Sequence, residues 1–172
     1  MVEPSYSFLF DSSLEYIVKV QASATTLAKS IWKGYSNFGI VIVLAAPIVF
    51  SIIKFYERCR AFYYVVMLTA MLFIMNVTKL CYWQPRPFWE SPDVQAFECS
   101  AQYGNPSGHS LFSMGTALTI WLDFNCFIST SPDWQNSRLS AWYTRLFFLC
   151  LALGFGLTIG YSRVFLGVHS WN

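Results

Sequence analysis

Four apolar runs decide most of what this chain can be. They cover residues 38–53, 61–78, 110–128 and 146–161, and they are 16, 18, 19 and 16 residues long. A helix that crosses a bilayer needs roughly 20 predominantly apolar residues. The aromatic residues Tyr35, Trp142 and Tyr143 stand where they would extend the shorter runs. Composition agrees. Charged residues make up 12% of the 172 positions, and the chain carries 16 Phe, 10 Tyr and 7 Trp. Soluble domains usually carry about 25% charged residues. The mean hydropathy is +0.43. The fold class that follows is all-α: a polytopic transmembrane helix bundle with four spans, incomplete at its C-terminus. The alternative, buried helices of a soluble α domain, fits this composition poorly.

The net charge of +2 gives no reason to expect a nucleic-acid partner. Five cysteines, at 59, 81, 99, 126 and 150, form no Cys-x-x-Cys pair and no zinc spacing. Cys126 and Cys150 lie in apolar runs and read as small buried thiols. Cys81 and Cys99 flank one polar loop and could form a disulfide only where that loop faces an oxidising space, with free thiols the favoured reading. The first 38 residues show no unbroken apolar core behind a basic start, so they do not read as a cleavable signal.

Residues 12–33 follow a different pattern. Ile17, Val20, Ala24, Leu27 and Ile31 recur at helical spacing, with Lys19, Ser23, Thr26 and Lys33 on other faces. This predicts an amphipathic helix, either lying at the membrane interface or packing on the other helices. The expected organisation is an N-terminal segment, 1–37, and a membrane-embedded domain, 38–172. Orientation can be read from charge, because basic residues concentrate on cytoplasmic loops. Lys54, Arg58 and Arg60 stand in one loop, Arg138 and Arg145 in another. Helix alternation puts both loops on one side, the cytoplasm. The loop 79–109 then faces the lumen or the exterior. Lys19, Lys29 and Lys33 run against this orientation unless the N-terminal region holds a further crossing.

The polar residues at the ends of the spans collect on one face. Lys79 closes the second run, and Arg86-Pro87 follows within YWQPRPFW. Pro106-Ser107-Gly108-His109 opens the third run, while Ser162-Arg163 and His169 close the fourth. Two crossings separate the third run's start from the fourth run's end, so all of these groups share a membrane face whatever the orientation. Lys79, Arg86 and Arg163 are cations; Arg offers a planar fork matched to phosphate oxygens and Lys a compact charge. Ser107 and Gly108 stand at a helix N-terminus, where free N–H groups favour an anion. His109 and His169 are the only histidines. Cations for the equatorial oxygens, one group to attack and another to protonate the leaving oxygen are what phosphoryl transfer requires.

These residues also carry a resemblance. KLCYWQPRP at 79–87 has the form K-x6-R-P, PSGH stands at 106–109, and SRVFLGVH at 162–169 has the form S-R-x5-H. In this order and between spans, they resemble the three-part signature of the phosphatidic acid phosphatase type 2/haloperoxidase superfamily, over residues 61–172. That superfamily includes lipid phosphate phosphatases, glucose-6-phosphatase and vanadium haloperoxidases. The resemblance implies that His169 is a nucleophile forming a phosphohistidine and that His109 is the general acid. It assigns Lys79, Arg86, Ser107, Gly108 and Arg163 to phosphate binding, and it implies no metal and no cofactor. It further implies an acid four residues after the third-motif histidine and one more span. The sequence stops at Asn172, which reads as a fragment or a truncated product.

Glu90, Asp93 and Glu98, between the first two motifs, read as solvated loop charges. Asp123 lies 16 residues beyond Ser107, roughly 24 Å along a helix, and so near the opposite interface. The expected function is an integral membrane phosphatase acting on phosphate monoesters of lipids such as phosphatidate, with the bilayer and a lipid phosphate as partners. The alternatives are a sugar phosphatase of the glucose-6-phosphatase kind and an inactive family member that binds lipid or scaffolds.

Overall fold

The computed structural model describes residues 8–53, 58–98, 100–130 and 141–171. Among them all regular structure is helical: α1 (Phe8–Ala22), α2 (Thr26–Ile53), α3 (Arg58–Tyr82), α4 (Pro87–Glu90), α5 (Gly108–Thr130) and α6 (Trp142–Phe165). Three stretches, Thr26–Val49, Cys59–Glu90 and Trp142–Phe165, are long and apolar enough to cross a membrane. Their outward surface is what lipid requires. Phe62, Phe73, Leu80 and Leu157 leave 69%, 69%, 67% and 66% of their surface uncovered. In water such apolar exposure would be an aggregation liability. The chain is an integral membrane protein.

The fourth apolar run lies in α5, which at 23 residues is about 34 Å long. Ser113, Thr116 and Thr119 are buried, and Ser113 and Thr119 donate back to the carbonyls of His109 (2.6 Å) and Gly115 (2.8 Å). That satisfies the Ser113 and Thr119 hydroxyls without a partner helix. α5 contacts α6 most extensively and also touches α2 and α3. Neighbouring helices cover much of it, and a helix covered by protein can carry polar groups that a lipid-facing helix cannot. A Cβ on Gly156 of α6 would stand 2.6–3.0 Å from atoms of Met114, so the small residue is what lets α5 and α6 approach.

The amphipathic pattern at 12–33 does not form one helix. α1 ends at Ala22, and the Thr25 hydroxyl accepts the Ala28 N–H (3.2 Å), an N-cap that starts α2 afresh. The residues that begin this new helix continue into the first span, and α2 passes through positions 37 and 38 without a break. α1 packs on α6 and on the loop after α4, with Ile17 buried against Val94 and Val164. Gln21 fixes that loop, donating to the carbonyls of Gln95 (3.0 Å) and Phe165 (3.2 Å) and accepting from the Gln95 N–H (2.9 Å).

Two cysteines also depart from expectation. Cys126 and Cys150 are exposed on the outside of the bundle; apolar side chains here face outward as readily as inward. Cys81 is a free, exposed thiol, and Cys99 lies outside the described residues. The basic loops used for orientation lie partly outside them as well.

At the end of α5 far from the motifs, Asp123 holds α3. Arg60 Nε donates to Asp123 Oδ2 at 2.6 Å and the Tyr64 hydroxyl donates to the same oxygen at 2.8 Å. Both Arg60 and Asp123 are about a quarter exposed, at 25% and 23%. Replacing Asp123 with Ala leaves both donors without this acceptor. Thermal or denaturant unfolding in detergent is expected to show a loss of about 1–2 kcal/mol. Unchanged stability would show that the latch contributes nothing.

Candidate active site

Each functional side chain is placed by the end of a helix. Lys79 lies in the last turn of α3, and Arg163 in the last turn of α6. Arg86 sits between two prolines in extended backbone, the N-cap position of α4. Proline on either side disfavours helix there and keeps the chain from extending α3. Ser107 caps α5: its hydroxyl accepts the Ser110 N–H (3.4 Å) and its carbonyl the Leu111 N–H (2.9 Å). Gly108 and His109 are the first two residues of that helix. After α6 a turn through Gly167, at φ +74, returns the chain inward and delivers His169. A positive φ favours glycine because it has no Cβ.

Lys79, Arg86, Gly108, His109, Arg163 and His169 line one pocket, together with Ile40, Met75, Glu98, Ser100, Gln102 and Phe112. The three motifs therefore meet. Ser107 does not line this pocket; it faces an adjoining groove that shares His169 and runs between α5 and α6 past Leu111, Gly115 and Gly160.

Arg86 is the most connected of the set and is 2% exposed. Its Nε donates to the Gln102 carbonyl (2.5 Å), its Nη1 to the Val168 carbonyl (2.7 Å) and its Nη2 to the Tyr103 carbonyl (3.4 Å). The same Nη1 lies 3.4 Å from His169 Nε2. On its other side His169 donates from Nδ1 to the Gly104 carbonyl, an atom that can only accept. The bond fixes the tautomer: Nδ1 carries the hydrogen and Nε2 keeps its lone pair, facing the cations. Lys79 Nζ donates to Gln102 Oε1 (2.8 Å).

Arg163 overturns one sequence expectation. Its Nη1 donates to Ser36 Oγ (3.2 Å) and to Glu98 Oε2 (2.5 Å). Glu98 is thus an ion-pair partner inside the site and not a solvated loop charge. Sequence reasoning also missed Gln102 and Ser36. Nothing in an irregular loop signals that a glutamine 23 residues from a lysine will meet it.

Both histidines stand outside the apolar runs, and both are held neutral. Burial is the main cause for His109, with the positive charge of Arg163 next and Glu98 acting in the opposite sense. Together they bring it from 6.5 down to about 4. Burial, then Arg86 and Arg163, push His169 well below the ordinary histidine range; the bond to Gly104 opposes them.

The family model of the PAP2 superfamily matches residues 60–172. The chain belongs to that superfamily. No curated protein matches its sequence. Among solved structures, it is similar to the crystal structure of a transmembrane PAP2-type phosphatidylglycerolphosphate phosphatase from Bacillus subtilis, with a TM-score of 0.70 at 20% identity. That similarity covers 96% of this chain and 77% of the other. It shows a shared fold.

Two outcomes are expected from the site's construction. A Cβ at Gly167 would stand 2.7 Å from the Gln95 carbonyl and 2.8 Å from Gln21 Nε2, on a backbone that disfavours L side chains. Gly167→Ala should destabilise the fold by about 1–2 kcal/mol. Gly34→Ala, in an open helical position with nothing within 4 Å, should be neutral or stabilise by about 0.5–1 kcal/mol. Unfolding midpoints compare the two, and equal shifts would contradict the account. The second outcome concerns pH. A depressed histidine binds fewer protons folded than unfolded, so its stability contribution is full above about 6.5 and is lost as pH falls through about 4. Stability measured from pH 7 to pH 4 should fall, and His109→Asn should flatten part of that slope.

Proposed function

We propose that this member of the PAP2 superfamily is an integral membrane phosphatase that hydrolyses phosphate monoesters of lipids through a phosphohistidine on His169. The observation that carries the reading is the convergence of three separated motifs on one pocket, with His169 Nε2 unprotonated beside Arg86. Nε2 attacks phosphorus and the P–O bond to the alkoxide breaks. His109, as imidazolium, gives its proton to the departing oxygen, and an alcohol leaves. Water then attacks the phosphohistidine and neutral His109 takes the water's proton. The N–P bond breaks, returning its electron pair to Nε2 and releasing phosphate. Lys79, Arg86 and Arg163, with the N–H groups at the start of α5 around Gly108, hold the equatorial oxygens throughout.

The low basicity of His109 in the empty pocket fits this role. Three cations face it there, and Lys79 and Arg86 add to the effect of Arg163. A phosphate dianion among them offsets those charges and raises the affinity of His109 for a proton. Substrate binding therefore loads the acid.

A lipid substrate is favoured by the pocket's surroundings. Tyr82, Trp83 and Trp89 are exposed beside the motif-bearing loop, at 62%, 67% and 44%. Trp83 stacks on Tyr103 with ring centroids 5.8 Å apart. Exposed aromatics with polar edges suit the headgroup region of a bilayer. The basic residues Lys54, Arg58, Arg60, Arg138 and Arg145, which the sequence sets between the apolar runs away from the motifs, favour a lumenal or extracellular active site. The fold neighbour acts, by its name, on phosphatidylglycerolphosphate, which makes a lipid phosphate the first substrate to try.

Phosphate release from phosphatidate in detergent, with chelator present, tests the reading, and glucose 6-phosphate serves as the soluble comparison. His169→Ala is expected to abolish release, by about a thousandfold or more, and His109→Asn to reduce it by about 100-fold or more. Phosphate label trapped on the His109 variant should be acid-labile and base-stable. Unchanged release by His169→Ala would exclude the mechanism, and hydrolysis confined to glucose 6-phosphate would exclude the lipid class.

A further inference from the structure

The loop between α4 and α5 does more than connect them. Each cation of the pocket already has an acceptor from it: Arg163 has Glu98 Oε2 (2.5 Å), Lys79 has Gln102 Oε1 (2.8 Å), and Arg86 has the carbonyls of Gln102 and Tyr103. In the empty site the protein supplies the oxygens that an oxyanion would otherwise present. Glu98 differs from the rest because it brings a formal negative charge. It is also the more exposed partner, with 24% of its side chain accessible against 4% for Arg163. Arg163 therefore forms part of the pocket's floor, and Glu98 covers it from the open side.

The ordering has a consequence for any ligand. Ser36 and Glu98 share Nη1 of Arg163, so a phosphate oxygen cannot take that donor while the carboxylate holds it. A carboxylate oxygen and a phosphate oxygen compete for that Nη1 donor with similar geometry. Removing the carboxylate also removes a negative charge from among groups that must gather a dianion.

Resting on the reading of this pocket as a phosphate site, we propose that Glu98 is a built-in competitor that occupies the phosphate's seat on Arg163 and must leave before a phosphate is bound. The loop then acts as a gate whose closed form is held by the Glu98–Arg163 pair. The gate sets an affinity threshold, since weakly held anions do not displace the carboxylate and a tetrahedral dianion does. Glu98 thus determines affinity at the site and takes no part in the chemistry.

Inorganic phosphate is the probe, titrated into the full chain in detergent and followed by calorimetry or phosphorus NMR. Glu98→Gln should bind phosphate about tenfold more tightly than the wild type, and KM for phosphatidate should fall by a similar factor. If Glu98 merely anchored Arg163, the same substitution would weaken phosphate binding, and that result overturns the proposal, as does unchanged binding. A measurement on the wild type needs no variant. Phosphate should increase amide hydrogen exchange around residues 97–98, where the Phe97 N–H donates to the Leu166 carbonyl at 3.3 Å. Increased protection there would contradict the gate. Equal phosphate binding by wild type and Glu98→Gln, with His169→Ala inactive, removes this inference alone. Phosphate binding to neither protein, with His169→Ala still active, removes the phosphate-site reading along with it.

Discussion

The guanidinium of Arg86 is the constraint on which the rest of this structure depends. It is a charge with 2% of its surface exposed, at one end of an apolar bundle. A buried charge without partners costs several kcal/mol or more, so the chain must bring acceptors to it. They come from two places far apart in sequence. The carbonyls of Gln102 and Tyr103 belong to the loop that leads into α5, and the carbonyl of Val168 belongs to the turn after α6. Satisfying Arg86 therefore sews the second motif to the third. Once Val168 is held, His169 has little freedom, and the Gly104 carbonyl completes its orientation. The site is a consequence of solvating a cation with backbone.

The two ends of the bundle handle charge differently. At the far end Arg60, Asp123 and Tyr64 form a balanced cluster in which one acceptor meets its donors. At the near end Lys79, Arg86 and Arg163 share a pocket with a single carboxylate, Glu98. Charge in excess of its partners is expensive at a membrane boundary, and such groups mark functional positions. Between the two ends the helices need no charge at all, and hydroxyls such as that of Thr119 return their hydrogens to their own helix. The division is visible along α5, which runs between both clusters, covered by protein for much of its length.

Much of this was legible in the sequence because the relevant rules are local or merely topological. The apolar runs mark the long helices, and the return of the chain through α5 and α6 places Lys79, Arg86, His109, Arg163 and His169 on one side without any geometry. What escaped reading depends on tertiary context. Glu98 sits in a loop without periodicity, and its partner lies 65 residues away. The pattern at 12–33 is periodic throughout, so only the Thr25 cap betrays the break between α1 and α2, and a threonine is a weak signal by itself. Cys126 and Cys150 read as buried because apolar surroundings usually mean a core, an inference that fails where the surrounding solvent is lipid.

On the proposed mechanism, the same field separates two electrophiles that compete for His169 Nε2. A proton arriving there adds positive charge beside Arg86 and Arg163, in a buried site, and those are the causes that hold the imidazole neutral. A phosphoryl group arriving there brings negative oxygens to the same cations and is stabilised by what opposes the proton. Depressed basicity and readiness to accept phosphorus are therefore one electrostatic fact, and the nucleophile needs no base to deprotonate it. The arrangement requires only that Nδ1 keep its hydrogen, so that the lone pair cannot migrate to the wrong nitrogen. The Gly104 carbonyl, which can accept and never donate, meets that requirement.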